Sequence, residues 1–111
     1  MITIKNFDKL DNQEFEVLNT KFIIELYTDP NNPVGSEQEI WLYPIANMNY
    51  VLLMHPDFVK QRIKIRRCIL GEGKDGDDLE DTKLYKSHLE TMEDFKEFIA
   101  TKTYTLFDKL K

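Results

Sequence analysis

The chain has 111 residues, a net charge of −5, 41% hydrophobic and 32% charged residues, a composition that is globular rather than disordered and fits one compact domain over residues 1–111. The acidic balance disfavours general affinity for nucleic acid, whose phosphates attract basic surfaces. The single cysteine, Cys68, excludes an internal disulfide, and no apolar run approaches the ~20 residues of a membrane span.

A reducing, cytoplasmic setting is the simplest expectation from those totals. Charge is unevenly spread: residues 58–71 carry five basic residues and no acidic one, within a chain that is acidic on both sides.

In chain order, Ile2 and Ile4 alternate with Thr3 and Lys5, predicting a short strand over residues 1–7. Glu14–Leu18 alternates in the same way or makes one helical turn, and Asn19 and Thr20 supply a turn. The densest apolar and β-branched stretch follows between Phe22 and Met54, in the runs KFIIELYT, EIWLYPI and NYVLLM. The turn-forming sequence DPNNPVGS separates the first two and predicts a hairpin. With Tyr27 opposite Glu39, Phe22, Ile24 and Leu26 share one face with Ile40 and Leu42, while Ile23, Glu25 and Tyr27 share the other with Trp41 and Tyr43. A one-residue slip would mix the faces, which favours this register.

Tyr50–Met54 is apolar on both faces, as an interior strand should be, and His55, Pro56 and Asp57 predict its end. Gln61–Leu70 admits two readings. As a strand it sets Arg62, Lys64 and Arg66 against Ile63 and Ile65, with Arg67 out of phase unless a bulge occurs. As a helix it would put Arg62 and Arg66 inside the apolar arc, so the strand is preferred. GEGKDGDDLED, residues 71–81, predicts a hydrophilic loop, with Thr82–Leu89 as the returning strand. Thr91 then has the chemistry of an N-cap, with Glu93 and Asp94 in the first turn. Met92, Phe95, Ile99, Leu106 and Leu110 recur at helical spacing, although TKTYT weakens the second half of that helix. The expected fold class is α+β: an antiparallel meander or roll of about five to seven strands with a C-terminal helix packed on one face.

Three groups of side chains are candidates for function. Arg62, Lys64 and Arg66 form a cationic row suited to phosphate, an acidic protein or an anionic surface; the same row also suits an edge strand, where cations discourage further pairing. Asp75, Asp77, Asp78, Glu80 and Asp81 offer oxygen ligands, but their spacing departs from a calcium loop. No metal or cofactor is expected there, and a partner's basic groove is the better functional use. Tyr27, Trp41 and Tyr43 are candidate interface anchors, with core packing beneath the C-terminal helix the commoner fate of such a cluster.

His55, His88, Cys68, Ser36 and Ser87 lie in no metal, nucleophile or phosphate-loop motif, so no catalytic residue and no enzymatic activity are expected. The sequence points instead to a small acidic binding protein: an inhibitor, immunity factor or accessory regulator of the kind viruses and mobile elements encode. Its expected partner is a protein, with acidic mimicry of nucleic acid as one form. The alternative is an anion-binding module that grips phosphorylated lipid or nucleic acid with Arg62, Lys64 and Arg66.

Overall fold

The apolar runs pair in the order in which they are synthesised. A computed structural model of the protein describes residues 7–28, 38–70 and 74–110. Six strands, β1 (Glu14–Val17), β2 (Thr20–Thr28), β3 (Gln38–Pro44), β4 (Tyr50–Asp57), β5 (Arg62–Ile69) and β6 (Lys74–Lys83), form one antiparallel meander. A C-terminal helix, α1 (Met92–Leu106), completes an α+β arrangement. The strand expected over residues 1–7 lies outside the described residues except for Phe7, which opens a 3-10 turn over Phe7–Leu10. The DPNNPVGS turn also lies outside them.

The central register is the one that keeps the faces unmixed. Tyr27 pairs with Glu39, Leu26 with Ile40 and Ile24 with Leu42, and the same face continues through Met54 and Leu52 to Ile65 and Ile63. α1 lays Phe95, Ile99 and Leu106 against it, and these side chains are buried in one core with Phe22, Leu89 and Leu110, with Leu26 partly buried against it.

β4 outruns its expected end, because His55, Pro56 and Asp57 pair with Lys64, Ile63 and Arg62. Proline lacks an N–H, but β3–β4 pairing stops at Ile40 and Met54, so Pro56 interrupts no described ladder on that side. At the β1–β2 turn the two central residues are Leu18 and Asn19, both at positive φ (50° and 62°), the geometry that matches the twist of flanking strands. Thr20 already belongs to β2.

β6 is the main correction. Residues 74–81 of the segment expected to be a loop belong to the returning strand, the rest of that segment lying outside the described residues, while Thr82–Leu89 contributes only two strand residues before a 3-10 turn over Lys86–His88. Aspartate and glycine are poor strand formers, so intrinsic preference does not explain β6. Its partner does: Lys64, Arg66 and Arg67 stand opposite Asp81, Asp78 and Asp77, and opposite charges across a ladder stabilise it. Arg67 falls out of phase without any bulge in β5: β4–β5 pairing runs through Arg66 and Arg67 unbroken and sets Arg67 on the face of Leu52, while the register shifts between β5 and β6 place the extra residues in β6. Gly76 lies against this irregular stretch. A Cβ there would run into the Arg67 carbonyl and lie 2.8 Å from the Cys68 sulfur, so only glycine lets the strands approach.

The threonines of TKTYT do not break α1. Thr101, Thr103 and Thr105 donate to the carbonyls of Glu97, Ile99 and Lys102 at 2.9, 2.8 and 3.0 Å, which satisfies the hydroxyls without leaving the helix. Thr91 caps the N-terminus as expected, accepting from the Asp94 amide at 3.0 Å.

Candidate functional site

The face of the sheet opposite α1 carries the aromatic candidates. Strand alternation and pairing place Tyr27, Trp41 and Tyr43 there with Ile23, Glu25, Glu39 and Leu53. Packing beneath the C-terminal helix is therefore corrected: the cluster faces the other way, and among the described residues no helix lies over it.

Its three rings form a ladder, with Tyr27–Trp41 centroids 4.7 Å apart and Trp41–Tyr43 centroids 6.1 Å apart, within the range where aromatic pairs add to burial. Two glutamates fix their polar ends. Trp41 Nε1 donates to Glu39 at 2.7 Å, and the Tyr27 hydroxyl donates to Glu25 at 3.2 Å. Exposure grades along the ladder, from Tyr43 at 5% to Tyr27 at 47%. One end is anchored in the sheet and the other is exposed.

The Tyr43 phenol is pushed well above the ordinary tyrosine value, first by burial and then by the charges of Glu25 and Tyr27 and hydrogen bonds to both. A raised value means that the neutral phenol is the form folding favours. Its contribution to stability is complete below the ordinary value of about 10 and is lost as pH rises through the folded value. Spectrophotometric titrations of the native protein and of Tyr43→Phe should coincide around pH 10.0 and separate only at higher pH; separation already at that pH would show an accessible phenol.

The cationic row and the acidic residues meet one another. Arg62 lies 3.1 Å from Asp81, Lys64 3.5 Å and Arg66 3.1 Å from Asp78, and Arg67 pairs with Asp77. Glu80 turns to Lys102 of α1 at 2.8 Å. Asp75 lies on β6, but its side chain is outside those described. The acidic set is thus an element of the sheet with its charges directed to both faces, and a calcium-type loop is not its geometry. Among the described residues no three His, Cys, Asp or Glu side chains converge to hold a metal.

His88 lines a hollow of about 260 Å³ with Ser87, Asp94 and Glu97. Its role there is structural. Nδ1 accepts from the Tyr85 amide at 3.2 Å, and the ring stacks on Phe98 with centroids 4.5 Å apart. His55 and Cys68 lie on β4 and β5, on the face opposite α1, paired with Lys64 and Val51. No helix among the described residues is long and apolar enough to cross a membrane.

Comparison with protein-family models, curated proteins and solved structures gives no match.

Proposed function

We propose that this protein acts by binding another protein, as an inhibitor, immunity factor or accessory regulator, through the sheet face that carries Tyr27, Trp41 and Tyr43. The carrying observation is the ladder itself: aromatic rings held rigid by carboxylates, with Tyr27 half-exposed at one end. Rigid aromatics contribute interface area at low entropic cost. The glutamates beside them favour a partner that presents arginine or lysine, which can stack on the rings and meet the carboxylates together. A cytoplasmic partner fits the lone, unpaired Cys68.

The ion pairs weigh against the anion-binding alternative. Phosphate would have to compete with aspartates for Arg62, Lys64 and Arg66, on a chain whose net charge repels it.

Trp41 is the only tryptophan, so its fluorescence reports directly on this face. Affinity capture from native lysate should retain a protein in stoichiometric amount, and Tyr27→Ala with Glu39→Lys should release it without unfolding the chain. The captured protein, once purified, should shift Trp41 emission. Capture that survives both substitutions, or that disappears with nuclease or lipid extraction, would overturn the proposal.

A further inference from the structure

Among the described residues, one edge of the sheet lies unpaired beside α1. β1 is, among the described residues, a terminal strand and pairs only with β2. In a two-residue hairpin the flanking pair exchanges both hydrogen bonds, and pairs alternate from there. Val17–Thr20 and Phe15–Phe22 are therefore hydrogen-bonded, and the main-chain N–H and C=O groups of Glu14 and Glu16 point away from the sheet. The next residue down agrees, since the Gln13 carbonyl accepts from the Ile24 amide at 2.9 Å, toward β2.

Against this edge runs a groove of about 390 Å³ between β1 and α1, lined by Glu16, Leu18, Glu97, Ala100 and Tyr104. Ala100 sets its floor low, and the two large apolar residues at its rim are exposed, Leu18 at 54% and Tyr104 at 58%. Leu18 is held at φ 50°, a conformation that costs a leucine energy and that glycine or asparagine would adopt freely. An apolar side chain kept exposed on a strained turn is the kind of outlier that marks a contact surface.

Charge selects the occupant. Glu14 and Glu16 stand on the strand and Glu93 and Glu97 on the helix, none of them in an ion pair among the described residues. Lys96, the nearby cation on α1, is turned to Gln13 at 3.3 Å, and Lys21, which stands opposite Glu16 across the ladder, forms no ion pair with it among the described residues. A second copy adding through the same edge would set glutamate against glutamate, which opposes self-pairing.

We propose that an extended basic peptide segment adds to β1 as a seventh strand, with alternate aliphatic side chains in the groove and alternate lysine or arginine side chains toward Glu14 and Glu16. Main-chain hydrogen bonds supply the affinity and the groove supplies the selectivity. The groove lies on the α1 side of the sheet, while Glu14 and Glu16, opposite Ile23 and Lys21, stand at the β1 margin of the aromatic face; the proposal does not rest on the aromatic ladder.

The test uses a synthetic peptide of about eight residues, a strand's length, alternating lysine with valine, titrated into the whole protein and followed by NMR and amide hydrogen exchange. The expected result is protection of the Glu14 and Glu16 amides, shifts along Glu97–Tyr104, and a silent Trp41 indole. Glu16→Lys with Glu97→Lys should weaken binding by about tenfold or more at low salt. Leu18→Gly, which relieves the turn, should weaken it with the fold intact. A peptide N-methylated on the amides that face β1 should fail to bind. Binding without protection of Glu14 and Glu16, equal binding of an aspartate–valine peptide, or no binding at millimolar concentration would each overturn the proposal.

Discussion

Phe22→Ala is expected to lower the unfolding free energy by about 4 kcal/mol, the usual scale for truncating a fully buried phenylalanine. The side chain is completely buried, stacks on Phe15 of β1 with centroids 5.6 Å apart, and meets the ring of Phe107 edge-on at 6.1 Å. It therefore joins the first hairpin to the turn that follows α1, and removing it loosens both. Nearby rings are already committed, so little collapse can refill the space. Chemical denaturation should show a lower midpoint at unchanged slope, and Phe22→Leu should recover most of the loss. The same loosening should raise exchange of the β1 amides, since β1 holds to the sheet through one neighbour only. A loss below about 1 kcal/mol would mean that Phe22 does not hold these elements together.

The parts of this fold legible in the sequence are those in which local pattern and tertiary environment agree. β2 and β3 could be registered residue by residue because their apolar residues alternate cleanly, and only one pairing keeps Phe22, Ile24 and Leu26 with Ile40 and Leu42. β5 was legible for a related reason: a helix would have buried Arg62 and Arg66. β6 was not, because its residues argue for a loop and only the cations of β5 make it a strand. Such a strand is specified across the sheet, and a reading that moves along the chain does not see it. The signal was present as a charge match, five basic residues followed by an acidic run, which can be read as two binding surfaces or as two halves of one ladder.

The aromatic cluster shows a different limit. Its members were correctly placed on one face, but alternation says only that two faces differ and not which one a distant helix will cover. α1 chose the face made of Phe22, Ile24, Ile40, Leu42, Leu52 and Met54, which carries no charge in its central strands, while the other includes Glu25 and Glu39. The groove beside β1 had no signature at all, since it forms where a four-residue strand meets a helix far away in the chain.

Reversing Arg62, Lys64 and Arg66 to glutamate together is expected to destabilise the protein by about 3 kcal/mol and to free β6, with roughly 1 kcal/mol per site once attraction becomes repulsion. The pairs are partly exposed, so each is modest and screened by salt, but two of the cations share Asp78 and, among the described strands, β6 pairs with β5 alone. Amide exchange should accelerate along Lys74–Lys83 before the core strands are affected. Restoring complementarity with Asp78→Lys and Asp81→Lys should return most of the stability and slow that exchange again. This swapped protein separates the two functional readings: it keeps the sheet while removing the cationic row. A protein partner held by the aromatic ladder should still bind it and shift Trp41 emission, whereas an anion gripped by Arg62, Lys64 and Arg66 should not bind. Failure of the swap to restore β6 would mean that the acidic strand is held by something other than these charges.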